Sequence, residues 1–532
     1  MKTRATAGVP LWLATFLAAV GGVVDAFAFP GYGIWPLIFV GTPLVLFALV
    51  GRSVWGSLLV GIIAGFAFWG THILWLTVYL GPVPWLALAG LETLFYALGC
   101  VLIALAWRFG DRMLTRGFGR FVVLPALVGG LWILREQIST TWPYGGFSWG
   151  RLSFSQSESP LREIVSWVGV AGLSFLIAMV SALMVQVFRD RRRALPLSAA
   201  TLSVLIVLAL VPGFAVETSG TARIAAVQGN SDAGLFAANR PGDILADHLS
   251  ATEPIFGENV DLIVWPENSS DLNPLEFREA ASVLDRVTRE LDAPMIVGTR
   301  TTDGDDLYNS LLLWERGQGS VDQYDKLNPV PFAEYIPDRE FWFPLAPDLL
   351  SLVPRDFSIG TRDNVFSIGE KVNGTTTAIE AGVAICFDIV SDALMRKMID
   401  DGADVIIAPT NNADFGRTDE SVQQLAIARL RAIETGRSVV NTSTVGTSAI
   451  IAPDGTDLDR LPTFTPGTMV EDVPLSVTRT AASNIGAPLE IAISIVSLAG
   501  LIALMALART RAVLTSRPRT PRAPSVTGGD RG

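Results

Sequence analysis

The sequence is poor in the residues that most often carry chemistry. Only two cysteines, Cys100 and Cys386, stand among 532 residues, which excludes a disulfide scaffold. The two histidines, His72 and His248, lie far apart and outside any HExxH or CxxC context, so no metal site is expected. Lysine occurs four times, at Lys2, Lys326, Lys371 and Lys397. Charge is scarce as well. Charged residues make up 17% of the chain against 50% hydrophobic, too few for an ordinary soluble protein. Residues 221–480 hold 41 acidic and 20 basic residues, and the remainder holds 10 and 20, so a net −21 is set against a net +10. The chain therefore reads as an acidic, water-facing domain in a basic, apolar frame. Nucleic acid, which needs a basic footprint, is not an expected partner.

What the chain has in quantity is apolar runs of membrane-spanning length, about 20 residues each. They lie near 9–28, 34–50, 54–80, 84–107, 121–138, 163–188 and 195–214, with an eighth near 487–508. The run at 54–80 is long, carries His72, and is expected to be tilted or broken near Gly70. Basic residues alternate between connections. Arg52, then Arg108, Arg112, Arg116 and Arg120, then Arg189, Arg191, Arg192 and Arg193 fall on one side, together with Lys2, Arg4 and the tail arginines. The connections at Pro30–Tyr32 and Gly81–Pro84 carry no charge, and the long fifth one has only Arg135, Arg151 and Arg162. The positive-inside rule then puts both termini in the cytoplasm and the acidic domain outside. Eleven of the 14 tryptophans precede residue 168, many near helix ends, in keeping with an aromatic belt. A cleaved signal peptide ending at Ala26-Phe27-Ala28 is the minor alternative for the first run. The expected division is residues 1–219 for seven helices, 220–482 for the acidic domain, 483–508 for the eighth helix and 509–532 for a basic tail of disordered composition.

Within the acidic domain, short β-branched runs alternate with helical patterns, which predicts a layered α/β domain. Strands are expected at Arg223–Gln228, Leu262–Trp265, Met295–Thr299, Ser310–Trp314, Gly382–Ile385, Val405–Ala408, Ser438–Asn441 and Ser448–Ala452. Helices are expected near 274–291, 390–401 and 420–436. Pattern alone leaves a doubly wound sheet and a two-sheet sandwich both open.

Three strand ends carry candidate chemistry. Ile263-Val264-Trp265-Pro266-Glu267 places a carboxylate after an apolar run. Tyr324-Asp325-Lys326 places a rare lysine before the proline-rich stretch to Pro337. Gly382-Val383-Ala384-Ile385-Cys386-Phe387-Asp388 ends an apolar strand on a cysteine. Taken singly, each has an ordinary structural reading: a solvated Glu, a surface Lys, a buried Cys. Taken together, they supply a base, a cation and a nucleophile on three strands of one domain. A Ser-His-Asp or Cys-His arrangement would have to use His248, which sits in a helix-like stretch with no GxSxG elbow near it.

With these three contexts in this order, the domain resembles the nitrilase superfamily. With seven helices before it and one after, residues 9–508 resemble the apolipoprotein N-acyltransferase family. Val227-Gln228-Gly229-Asn230, Val330-Pro331-Phe332-Ala333-Glu334-Tyr335-Ile336-Pro337, the Ala428-Arg429-Leu430-Arg431-Ala432 core of 424–437 and the connection from Trp142-Pro143-Tyr144 to Ser155-Gln156 add to the likeness. The resemblance implies an αββα sandwich on a polytopic helical frame in a bacterial cell membrane, acting as a monomer without a cofactor. It implies Glu267 as general base, Lys326 as oxyanion stabiliser, Cys386 as nucleophile and Glu334 as a supporting carboxylate. Phe387, Asp388, Tyr335, Trp342 and Phe415 would contact substrate. The donor would be a phospholipid and the acceptor the amino group of a diacylated apolipoprotein, with membrane lipid around both. Phe341, Trp342, Phe343, Leu345 and residues 349–352 would either dip into lipid or pack as an ordinary loop. The chain departs from the family at Phe387 and Asp388, where the family often has Tyr and Glu, and at Asp414, often Trp. Ala333 replaces a Gly, and the aromatic after the first strand is at best Phe236. These departures bear on loop geometry and acyl preference more than on reaction type. Two other readings remain: a membrane-anchored carbon–nitrogen hydrolase using the same triad, and a transporter or scaffold whose outer domain only binds, with His72 as its intramembrane polar site.

Overall fold

The computed structural model describes residues 8–516, without 191, 232, 235–238, 370, 373–374 and 377. Lys2, Arg4, Arg191, Phe236 and the tail beyond Ser516 lie outside the described residues. The frame is built from α1 (Leu11–Ala28), α2 (Ile38–Ala48), α3 (Val54–His72), α4 (Leu76–Leu80), α5 (Pro82–Met113), α6 (Leu124–Ser139), α7 (Val165–Arg189) and α8 (Ala194–Ala209). Among the described residues, six segments are long and apolar enough to cross a membrane: Leu11–Ala28, Val54–His72, Pro82–Met113, Gly119–Ser139, Pro160–Arg189 and Ala481–Arg511. The eight expected apolar runs are thus six helices of spanning length and two shorter apolar ones. With 16 residues α8 rises only about 24 Å against a hydrocarbon core of about 30 Å. Leu210 caps it just before Pro212 and Gly213. The second segment opens as a 3-10 turn at Trp35–Leu37, carries Pro43 inside α2 and is likewise short. The run at 54–80 does break, two residues past Gly70, leaving α3 and α4 as separate helices.

The frame helices approach closely through small residues. A Cβ on Gly22 of α1 would collide with the Ala64 carbonyl of α3, and one on Gly61 would lie 2.6 Å from Cα of Ala97 on α5. Two of the three arginines counted as loop charge in the fifth connection are in fact buried. Arg135 lies inside α6 with its guanidinium over the rings of Trp132 and Tyr96, at 4.6 and 4.7 Å. Arg151 is held in ion pairs.

The acidic domain follows as β1 (Gly220–Gln228), α9 (Asp243–Thr252), β2 (Leu262–Val264), α10 (Arg278–Leu291), β3 (Met295–Asp303), β4 (Asp306–Glu315), β5 (Gly319–Asp325), α11 (Arg339–Trp342), α12 (Pro347–Leu350), β6 (Val365–Ile368), β7 (Lys371–Val372), β8 (Thr375–Thr376), β9 (Ile379–Val383), α13 (Asp392–Asp400), β10 (Val405–Thr410), α14 (Glu420–Thr435), β11 (Ser438–Ser443), β12 (Ala449–Ile451), β13 (Asp457–Arg460) and β14 (Gly467–Leu475). The last helix, α15 (Ala481–Ser516), returns to the frame and continues past the expected end at 508.

Two six-stranded mixed sheets, ordered β14-β1-β2-β3-β4-β5 and β13-β12-β11-β10-β9-β6, make a sandwich rather than a single doubly wound sheet. Ile224, Val264, Leu311 and Tyr324 of the first sheet bury against Val383, Ile407 and Val440 of the second. Helices α9 and α10 cover the outer face of the first sheet, with Leu245, Leu284 and Val287 in that layer. Helices α13 and α14 cover the second, and here the core does not stop at the domain edge. Leu425, Ile427 and Leu430 of α14 belong to one buried cluster with Trp149, Phe154, Ile164 and the frame helices. The layer α13/α14 is therefore also the surface on which the domain rests on the frame.

Candidate active site

The C-terminal ends of β2, β5 and β9 meet at the junction of the two sheets. Gly298 on β3 makes the first of these ends possible, because a Cβ there would sit 2.7 Å from the Glu267 Cα. The chain after β2 can thus fold back across β3 and turn Glu267 inward. Glu267 is buried and accepts three hydrogen bonds. Oε1 takes Asn309 Nδ2 at 2.7 Å and Lys326 Nζ at 3.3 Å, and Oε2 takes the Asn411 backbone N–H at 2.8 Å. Lys326 Nζ also lies 2.9 Å from Glu334 Oε2 and 3.0 Å from Oε1. Glu334 is anchored in turn by the Val330 N–H at 2.6 Å and by Asn309 Nδ2 at 2.9 Å. One ammonium is thereby clamped between two carboxylates, and one amide, Asn309 on β4, bridges both.

Cys386 opens the 3-10 turn Cys386–Val390 directly after β9, with φ of +50°, a conformation a non-glycine residue rarely adopts. The strain is over-determined by Asp388. Its Oδ2 accepts from the Ile385 N–H at 3.1 Å and the Tyr324 hydroxyl at 2.8 Å, while Oδ1 accepts from the Asn328 N–H and Nδ2 at 2.9 and 2.8 Å. Tyr324 and Asn328 flank Lys326, so Asp388 ties the cysteine turn to the lysine strand, and its four hydrogen bonds are all to the protein itself. The half-buried Cys386 thiol lies beside Thr410, whose hydroxyl donates to Gln424 Oε1 at 3.1 Å.

Electrostatics assign each group a resting state. Burial pushes the Cys386 thiol up, Glu267 and Glu420 push it further, and Lys326 only partly offsets them, so the sulfur rests protonated. Burial also raises Glu267, the nearby Lys326 cation lowers it and the Glu334 charge raises it again; the net shift is upward. Burial alone would depress Lys326, but Glu267 and Glu334 outweigh it and hold the ammonium well above its ordinary range. A protonated thiol, a carboxylate of raised basicity and a permanent cation are the parts of base-assisted nucleophilic attack with oxyanion stabilisation.

The other anticipated residues are dispersed around this centre. Phe387 is stacked on Phe147 and Trp149, at 6.1 and 6.3 Å with both interplanar angles 11°. Phe415 meets Trp75 edge-on at 5.1 Å and Tyr79 at 5.7 Å, which places it against the frame. Tyr335 and Trp342 lie on the arm after Lys326. Trp342 Nε1 donates to the Tyr144 hydroxyl at 3.2 Å, and the Tyr335 carbonyl accepts from the Phe332 N–H at 2.7 Å. The apolar residues of that arm divide. Ile336, Leu350 and Val353 form a small core with Phe332, Trp342 and Phe343, whereas Phe341 and Leu345 are 64% and 67% exposed. His248 is buried in α9 against Trp265, with Nδ1 on the Ile244 carbonyl, apart from the thiol.

Asn309, Asn411 and Glu420 also act on this centre, although the sequence does not mark them. Glu420, buried at the start of α14, accepts from Asn412 Nδ2 at 2.8 Å, and burial together with the Glu267 charge pushes it up to about 8. Asn309 and Asn411 had no local signal: the first is one polar residue inside a strand and the second one of a pair in a loop.

Residues 21–183 match a family model described as the apolipoprotein N-acyltransferase N-terminal domain, and residues 223–483 match one described as carbon–nitrogen hydrolase. The chain is 30% identical over 522 residues to an apolipoprotein N-acyltransferase of Mycolicibacterium smegmatis, covering 88% of this chain and 81% of that protein. It is 27% identical over 495 residues to one of Shewanella oneidensis, covering 88% and 92%. Among solved structures, an amidase from Nesterenkonia sp. aligns at 17% identity over 49% of this chain and 92% of the amidase, with a TM-score of 0.34.

Proposed function

The chain belongs to the apolipoprotein N-acyltransferase family and is an acyltransferase of lipoprotein maturation; from that premise we propose that it moves an acyl chain through a thioester on Cys386. The donor is a phospholipid, and the acceptor is the α-amino group of the N-terminal diacylglyceryl-cysteine of an apolipoprotein. In the first half-reaction Glu267 takes the Cys386 proton and the sulfur attacks the ester carbonyl. Lys326 holds the resulting oxyanion. As the C–O bond breaks, Glu267 returns the proton to the departing lysophospholipid alkoxide. In the second half the amine attacks the thioester, Glu267 takes its proton, the C–S bond breaks and the sulfur is reprotonated. Ester is exchanged for amide, so no nucleotide is consumed, and the two halves make the kinetics ping-pong. Glu334 keeps Lys326 charged and in place.

The observation that carries this reading is the clamped Lys326, 3.3 Å from Glu267 and within the field of the Cys386 thiol, on a domain whose α14 layer packs into the membrane frame. Both substrates are held in the bilayer by acyl chains at about 0.8 kcal/mol per CH₂, so the nucleophile must come to them. The same reading puts the enzyme in the bacterial cell membrane, with α2 and α8 crossing alongside the six longer helices. Both termini are cytoplasmic, and residues 220–482 are extracytoplasmic, as the basic connections require. Phe341 and Leu345 dip into lipid, and Phe387, Phe415, Tyr335 and Trp342 line the approach to the thiol.

The test is intact-protein mass spectrometry after incubation with phospholipid vesicles alone. An acyl mass mapping to Cys386 is expected, with Cys100 unmodified, and it should be discharged by a diacylated lipopeptide with a free amine. An adduct on Cys100, or discharge by water as fast as by the lipopeptide, would overturn acyl transfer in favour of hydrolysis or another nucleophile.

A further inference from the structure

We propose that Arg151 is a positioning residue that sets the Cys386 turn at its working place against the membrane frame, acting through one carboxylate, Asp392. The proposal rests on the reading of Cys386 as nucleophile. The turn begun by Cys386 ends on the carbonyls of Ile389 and Val390. Both accept from Arg431 of α14, at 3.0 Å from Nε and 2.7 Å from Nη2. Arg431 Nη2 also lies 2.6 Å from Asp392 Oδ1, at the first residue of α13. The other oxygen, Oδ2, receives Arg151 Nη2 at 2.7 Å.

Arg151 does not belong to the acidic domain. It comes from the connection between α6 and α7. There its Nη2 also donates to Thr140 Oγ1 at 3.2 Å and lies 4.0 Å from Glu490 Oε1 on α15. One carboxylate thus has one oxygen for each body: Oδ1 serves the arginine that shapes the turn, and Oδ2 serves the arginine that belongs to the frame. Arg431 is 1% and Arg151 3% exposed, and the Asp392 side chain is 20% exposed, so solvent screens the two pairs only in part. Burial would raise Asp392, but Arg151 and then Arg431 hold it well below the usual carboxylate range.

The two contacts therefore have separable duties. Arg431 holds the internal shape of the turn, which any ester needs. Arg151 fixes where the turn sits relative to the frame. That matters for an ester whose depth is set by the bilayer, because an ångström of misplacement costs about 10²-fold in rate. A small ester in solution approaches the thiol at whatever height it stands. Removing Arg151 leaves Asp392 paired with Arg431 but takes from the buried Glu490 its ion partner at 4.0 Å, so the folded fraction is measured alongside the rates.

The test uses the full-length protein in proteoliposomes with two acyl donors. One is the vesicle phospholipid, read as acyl mass on Cys386. The other is soluble p-nitrophenyl butyrate, read as the nitrophenolate burst: the S–acyl bond forms, the ester C–O bond breaks, the thiol proton passes to Glu267 and nitrophenolate leaves. Arg151→Met is expected to slow acylation by phospholipid at least tenfold while leaving the burst rate within twofold, and Arg151→Lys to recover most of the phospholipid rate. Arg431→Lys is expected to slow both. The burst amplitude per protein reports the folded fraction in each arginine variant. Equal loss with both donors in Arg151→Met, or no loss with either, would overturn the proposal. A Cys386→Ala protein that kept its burst would instead overturn the nucleophile assignment on which the proposal rests.

Discussion

Replacing Glu267 by Gln tests the chemistry with almost no change in volume. In the wild-type site both carboxylate oxygens accept: Oε1 from Asn309 and Lys326 at 2.7 and 3.3 Å, Oε2 from the Asn411 N–H at 2.8 Å. A Gln has one accepting oxygen. Whichever way its amide turns, its NH₂ faces a donor, either the Asn411 N–H or the Asn309–Lys326 pair. That leaves a buried donor unsatisfied at about 1–3 kcal/mol, and Gln cannot take the thiol proton at all. Loss of a positioned general base costs about 10²–10⁴ in rate, and the sulfur here cannot compensate, because burial keeps it protonated. The expected fall in acyl-enzyme formation is therefore about 10³-fold, with the protein still folded. The assay is time-resolved intact-mass spectrometry of Cys386 acylation by phospholipid vesicles, with unfolding temperature measured alongside. A Glu267→Gln protein that acylated within tenfold of the wild-type rate at unchanged stability would refute the base assignment.

The pH dependence follows from the same group. Glu267 must be ionised to act, and its folded value is raised, so acylation should fall as pH drops through a point above the ordinary carboxylate range of about 4.3; a rate–pH profile whose acid limb sits at 4.3 or below would contradict this. Glu420 is pushed up to about 8 in the fold, so the stability it contributes is complete below its unfolded value and is lost as pH rises toward 8. Glu420→Gln should remove that loss. Unfolding midpoints should agree at about pH 4 and favour the variant at about pH 8 by a few kcal/mol, and equal midpoints at both pH values would show that burial does not hold this carboxyl neutral.

The site was legible to the extent that each partner followed a recognisable apolar strand. Trp265-Pro266-Glu267 and Ile385-Cys386-Phe387-Asp388 announce themselves as strand ends. Lys326 stood out by rarity and by its context before Pro331 to Pro337, although its own strand, with the sequence Gly-Ser-Val-Asp-Gln-Tyr-Asp, has too little apolar alternation to be read as one. Asp388 was expected at the substrate and is found bracing the turn, since its four donors come from β5, the loop after it and the residue before Cys386. Nothing local could give that: Tyr324 and Asn328 are about 60 positions away in sequence and come close only when the sheets pack.

The eight strands expected from apolar runs, β1 to β4 and β9 to β12, are the eight interior strands of the two six-stranded sheets. The four missed in these sheets, β5, β6, β13 and β14, are the four edges. An interior strand is covered on both flanks and, in these layers, on both faces, so its residues must be apolar by themselves, and the requirement is written locally. An edge strand has one paired neighbour and tolerates polar residues such as those of Asp457–Arg460. Its identity comes from a partner elsewhere in the chain. The sequence alone determined the apolar frame, the interior strands of the two sheets and the three strand ends that carry the candidates Glu267, Lys326 and Cys386. Only tertiary packing decided the edges, the two amide donors on Glu267, and the carboxylates, Asp392 and Glu434, that join the Cys386 turn to the frame through Arg431, because each of these is a relation between segments that no one segment contains.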